Sequence, residues 1–218
     1  MTLQASQLAY ARGDRLLFSG VSLEVGPGEA LRVTGRNGAG KTSLLRVLCG
    51  LTLPLDGEVS WRGTAIVQDR ESLHRDLIYI GHGQAIKDEF SALENVQIGA
   101  VLAGLSCTRR LALEALNQLG LRERADLPAR VLSQGQRRRV ALARLALPAP
   151  ESDETSLLVL DEPFVALDQE SVGVLAALLE ARLAQGAVLV YTTHQAQTLS
   201  AKCTHELNLG VATAAEAV

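Results

Sequence analysis

Residues Gly35-Arg36-Asn37-Gly38-Ala39-Gly40-Lys41-Thr42 spell G-x-x-x-x-G-K-[ST], a pattern that few folds can accommodate. Its glycines let the backbone curl until successive N–H groups point at one anion. An apolar stretch, Ala30 to Thr34, runs straight into the loop, and after Lys41 the residues Leu44, Leu45, Val47 and Leu48 recur at helical spacing. Strand, glycine loop and helix in that order put the positive end of the helix dipole on a phosphate. By composition the octapeptide arises by chance in on the order of one per cent of chains this size. The site is a nucleotide site. Lys41 is expected to reach the β- and γ-phosphates and Thr42 to ligate Mg²⁺. Gly35, Arg36, Asn37, Gly38, Ala39, Gly40 and Ser43 complete the expected nucleotide contacts.

A second element supplies carboxylates. Leu157 to Leu160 form an apolar run ending in Asp161-Glu162. Such runs suit parallel strands covered on both faces, and their C-terminal ends are where α/β proteins bind ligands. Asp161 is expected to hold Mg²⁺, and Glu162 to orient, or take a proton from, the water attacking the γ-phosphate.

The rest of the chain fits around these two. Its 218 residues suggest one domain with room for an attached subdomain, given about 150 residues per domain. Leu3–Tyr10 and Leu16–Val25 read as strands separated by a turn at Arg12-Gly13-Asp14, and Glu58–Trp61 as an edge strand. From about Ala92 to Leu147 helix follows helix. Strand character returns at Leu157–Leu160 and Ala187–Tyr191, with a helix over Ser171–Leu183 between them. This is an α/β core interrupted by helices. Pro148 to Ser156 reads as a solvated acidic loop.

Composition removes several function classes. A net charge of −3 and a single tryptophan argue against nucleic-acid binding by a global field or by base stacking. The run Arg137-Arg138-Arg139 reads as a solvated helix face with partner contacts rather than a nucleic-acid patch. Cys49, Cys107 and Cys203 show no pairing or metal-ligand spacing and read as reduced, small buried side chains. No stretch reaches the roughly 20 apolar residues of a membrane span, and no secretory signal is evident, so a soluble intracellular chain is expected.

Three more motifs occur in order: Leu132-Ser133-Gln134-Gly135-Gln136, Ala166-Leu167-Asp168, and Thr192-Thr193-His194. With the phosphate loop and the carboxylates, this set resembles the ATP-binding-cassette (ABC) ATPases along essentially the whole chain. The resemblance implies a P-loop ATPase core with an N-terminal antiparallel β-subdomain (about 1–82 and 157–218) and an inserted helical subdomain (about 83–147). It implies that Ser133, Gly135 and Gln136 bind the nucleotide of a second copy, so that a homodimer closes on ATP. Asp168 then links the two sites, His194 contacts the γ-phosphate and catalytic water, and Tyr10 stacks on adenine or merely packs. Where most relatives carry a glutamine, this chain has His82, with Gln84 two residues on; either could watch the γ-phosphate.

Leu17-Phe18-Ser19-Gly20, Ile80-Gly81-His82, Ser91-Ala92-Leu93-Glu94-Asn95 and Glu162-Pro163-Phe164 resemble, more closely, the ATPases of cytochrome c maturation, the haem exporters. That implies integral membrane permease partners and a peripheral place on the cytoplasmic face of a bacterial inner membrane. It also implies ATP hydrolysis coupled to haem export or to release of a haem-loaded periplasmic chaperone. No Cys-x-x-Cys-His motif is present and no direct haem contact is expected. An ATPase of another ABC importer or exporter, a soluble cassette ATPase acting on nucleic acid, and a non-catalytic nucleotide-binding module are the other readings.

Overall fold

The computed structural model describes residues 2–83, 85–148, 156–194 and 199–210. Strands β1 (Leu3–Arg12) and β2 (Arg15–Val25) form an antiparallel hairpin. Strand β4 (Asp56–Trp61) pairs with the other side of β1, and β5 (Thr64–Ala65) closes the sheet in the order β2-β1-β4-β5. The expected edge strand at 58–61 is therefore interior. The sheet's edges are β2 and the two-residue β5, the latter too short to leave a hydrophobic pattern in the sequence.

The second sheet runs β6 (Leu77–Ile80), β7 (Leu157–Leu160), β8 (Val188–Thr192), β3 (Glu29–Thr34) and β9 (Cys203–Asn208). β7 is parallel to β8, β8 to β3, and β3 to β9. Every residue of β7 and β8 is buried, as their uninterrupted apolar runs require. Leu160 lies opposite Tyr191 and Val33 opposite Thr192, so the three central strands end side by side. Helix α1 (Lys41–Leu48) buries Leu44, Leu45, Val47 and Leu48 in one core with Leu31, Val33, Val159 and Val190.

The described residues of 1–79, 155–162 and 182–218 make one compact unit, and those of 80–154 and 163–181 a second. The first also holds α2 (Arg70–Asp76). The second contains α3 (Ala92–Leu102), α4 (Arg109–Gln118), α5 (Gln134–Leu142) and most of α6 (Gln169–Ala184). Leu93, Val96, Ala112, Leu116, Leu121 and Val140 form the centre of its core. Among the described residues no helix is long and apolar enough to cross a membrane. The cysteines are not uniformly buried: Cys49 is, Cys107 is partly covered, and Cys203 is exposed on β9.

Asn95 organises the approach to α3. Its Oδ1 accepts from the Lys87 N–H at 2.7 Å, and its amide nitrogen donates to the carbonyls of Lys87, Phe90 and Ser91 at 3.0, 3.2 and 2.9 Å. Ser91 and Glu94 complete the turn as a reciprocal capping box. An Asn95→Leu substitution keeps the branched shape but removes four hydrogen bonds to part-buried backbone groups, so it should cost about 1–3 kcal/mol. Chemical denaturation of the two proteins measures the difference.

Candidate active site

The glycine loop leaves β3 and enters α1 through Gly40, whose φ of 98° is left-handed. A Cβ there would sit 3.1 Å from Leu17 Cβ and 3.2 Å from Phe18 Cδ1, so the loop lies directly on β2. Phe18 in turn stacks on Tyr10, ring centres 5.9 Å apart. Tyr10 thus does pack, against the ring that touches the loop, and it is half-buried rather than enclosed. Lys41 Nζ donates to the carbonyls of Gly35 and Arg36 at 2.8 and 3.4 Å, which curls the ammonium over the loop. The first turn of α1 carries no acidic residue, so its positive end is not neutralised locally.

At the adjoining strand ends a continuous set of hydrogen bonds links the other candidate residues. Thr42 Oγ1 donates to Asp161 Oδ2 at 2.7 Å, and Thr192 Oγ1 donates to Asp161 Oδ1 at 2.7 Å. The Glu162 N–H donates to that same Thr192 oxygen at 2.8 Å. His194 Nε2 then lies 3.0 Å from Glu162 Oε1. Asp161 is 2% exposed, whereas the His194 side chain is about half open to solvent. Glu162 has a φ of 50°, a left-handed backbone that a non-glycine residue holds only at a cost of about 1–3 kcal/mol. Thr192 is the residue that sequence reasoning missed as a participant. Its signal was its place in Thr192-Thr193-His194, two residues before the expected histidine.

Among the described residues no three His, Cys, Asp or Glu side chains gather as a protein-only metal cage. The Thr42 hydroxyl beside the Asp161 carboxylate is instead a pair of hard oxygen donors. That fits Mg²⁺, which takes one or two protein oxygens and fills its octahedron with phosphate and water.

The remaining candidates lie in the second unit. Ser133 caps α5: its Oγ accepts from the Gln136 N–H at 3.2 Å while Gln136 Oε1 accepts from the Ser133 N–H at 2.9 Å. A Cβ on Gly135 would fall 2.7 Å from the Ala166 carbonyl, so only glycine fits, and Ala166 itself has a φ of 65°. Asp168 accepts from the Ser171 N–H at 2.8 Å at the start of α6. Hydrogen bonds from the Ser171 backbone and hydroxyl hold the Asp168 carboxyl below the usual range. His82 is exposed and lines a cavity of about 550 Å³; Gln84 lies outside the described residues.

The reading of Arg137–Arg139 as a solvated face is overturned. Arg138 is 4% exposed and donates to the Gly81 carbonyl, Arg139 donates to that of Leu119, and Arg137 pairs with Asp88. All three are engaged inside their own unit because distant segments fold onto α5, which local helical periodicity does not report.

The ABC transporter family profile matches residues 18–165. The cytochrome c biogenesis ATP-binding export protein CcmA of Aromatoleum aromaticum is 52% identical over 193 residues, 88% of each chain. That of Nitrosomonas europaea is 48% identical over 207 residues, 95% of each chain. The chain belongs to this family of ABC transporter ATPases. The cassette fold agrees. A putative ABC transporter ATP-binding protein from Pyrococcus furiosus superposes with a TM-score of 0.81 at 22% identity, over 98% of this chain and 100% of that one. The MJ0796 cassette, solved as a post-hydrolysis dimer bound to ADP and Pi, gives 0.73 at 25% identity over 88% of each chain.

In this cassette ATPase, Thr192→Val should release the Asp161 carboxylate and the Glu162 backbone while preserving shape. We expect kcat to fall about tenfold or more through misplacement of the reacting groups, with nucleotide binding within about threefold of the parent. Steady-state hydrolysis and titration with a fluorescent ATP analogue separate the two quantities.

Proposed function

We propose that the chain is the ATP-hydrolysing subunit of the ABC complex serving c-type cytochrome biogenesis, coupling hydrolysis to haem export or to release of a haem-loaded periplasmic chaperone. The observation that carries the hydrolytic part is the hydrogen-bonded series Thr42–Asp161–Thr192–Glu162–His194 beside the glycine loop. The identity to the CcmA proteins over most of both chains supports the biological setting.

In this reading the backbone N–H groups of residues 35–43 and Lys41 hold the phosphates of ATP, and Tyr10 flanks the adenine. Thr42 and Asp161 would hold Mg²⁺, which would supply charge neutralisation to the phosphates. Glu162 accepts the proton of the attacking water, and His194 steadies that carboxylate and reaches the γ-phosphate. Ser133, Gly135 and Gln136 of a second copy complete each site, with Asp168 joining the two sites of the homodimer. His82 or Gln84 senses the γ-phosphate. ATP closes the dimer by giving each γ-phosphate donors from two copies, and hydrolysis removes that bridge.

The helical segment, about 83–147, faces the integral membrane permease. Val101 and Leu102 at the end of α3 are 65% and 82% exposed, an apolar surface suited to such a partner. The subunit then sits peripherally at the cytoplasmic face of the inner membrane, without binding haem or nucleic acid itself.

Glu162→Gln should bind ATP normally and slow hydrolysis by about 10²–10⁴-fold, the worth of a general base. It should also accumulate as an ATP-bound dimer in size-exclusion chromatography. Cells carrying it in place of the parent should lose haem-stained c-type cytochromes while still making the apo-proteins. Normal cytochromes alongside a hydrolysis-dead subunit would assign the ATPase to another transporter.

A further inference from the structure

The segment from Gly81 to Ser91 is fastened at both ends, and α5 supplies a fastening at each. At the near end Arg138 Nη1 donates to the Gly81 carbonyl at 3.1 Å, immediately before His82. At the far end Arg137 pairs with Asp88, whose own carbonyl accepts from the Arg130 N–H at 3.1 Å. Asn95 fixes Lys87, Phe90 and Ser91, and the Phe90 carbonyl accepts from the Ala129 N–H at 2.8 Å. Between these anchors His82, Ala85 and Ile86 line a cavity whose other wall includes Leu132, Gln134 and Arg137. His82, Ala85 and Ile86 therefore border open space between two points tied to one helix.

That helix is the one capped by Ser133. Ser133, Gly135 and Arg138 belong to the cap and first turns of a single rigid element, so a displacement at its N-terminus is carried to the Gly81 carbonyl. Arg138 is also an expensive way to fill a core position. Burying a guanidinium carries a desolvation penalty that an apolar side chain of similar length avoids. Its directional donors are what an apolar replacement lacks.

We propose that Arg138 is a positioning residue: it ties the setting of His82 to the position of the Ser133 helix, so that a nucleotide engaged at one is felt at the other. The inference rests on the ATPase reading given under Proposed function and adds to it a link between the signature helix and the His82 loop within one copy.

The test is a double-mutant cycle on ATP hydrolysis by the full chain. Arg138→Met should lower kcat about ten- to a hundredfold, the cost of misplacing a reacting environment, with KM within about threefold. Arg138→Lys, which retains a donor for the carbonyl, should recover most of the loss. In a His82→Ala background, itself slow, Arg138→Met should cost no more than about twofold further, because the residue acts through His82. Losses that multiply in the double mutant, a normal kcat for Arg138→Met, or a normal kcat for His82→Ala would each overturn the proposal. Should Arg138→Met fail to fold, Asp88→Ala cuts the half-exposed strap at the far end and enters the same cycle. A parent chain that hydrolyses no ATP, or a Glu162→Gln variant as fast as the parent, would instead strike the underlying ATPase reading.

Discussion

Asp161 is almost wholly buried, and its two oxygens take hydrogens from Thr42 and Thr192. Leaving that carboxylate without donors would cost several kcal/mol, so the fold must deliver both hydroxyls to one point. Thr42 comes from the first turn after the glycine loop and Thr192 from the end of β8. They meet because β3, β7 and β8 run parallel and stop in register, Val33 beside Thr192 and Leu160 beside Tyr191. A slip of one residue in either pairing would turn a threonine to the opposite face and strand the charge. The apolar core under α1 therefore has a second consequence besides stability: it holds the register on which the site's electrostatics depend.

The helical unit solves a different problem, presenting backbone donors at loop ends. Its helices begin with small polar caps at Ser91, Thr108, Ser133 and Asp168. At Ser133 the cap does not exhaust the side chain. One lone pair of Oγ serves the Gln136 N–H, while the hydroxyl proton stays available to donate elsewhere. The Gly135 backbone is pressed against the Ala166 carbonyl, so this loop and the one leading to Asp168 constrain each other without side-chain contact.

What the sequence discloses divides along physical lines. The glycine loop, the fully buried strands β7 and β8 and the helix after Lys41 were legible because each is written in consecutive residues, through backbone permissiveness or apolar periodicity. The three arginines were misread because their partners, Gly81, Asp88 and Leu119, arrive from elsewhere in the chain. A charged run looks solvated until tertiary structure covers it. The interior place of β4 was hidden by the brevity of β5. Asp161 and Glu162 could be picked out from their strand end and His194 through the family resemblance, whereas Thr192, which ties the first two together, was marked only by its place in Thr192-Thr193-His194. A threonine in an apolar strand reads as β-branched filling, and nothing local shows that its hydroxyl has two partners.

Glu162 sits in a backbone conformation that favours glycine or asparagine over any carboxylate-bearing chain of its length. Selection for thermal stability alone would drift this position away from glutamate, since relief of the left-handed strain is available to the smaller residues. That glutamate stands here means the chain tolerates a local weakness to hold a carboxylate at the strand end. In a stability-guided redesign, the substitutions scored as most beneficial at this position would be the ones that remove that carboxylate.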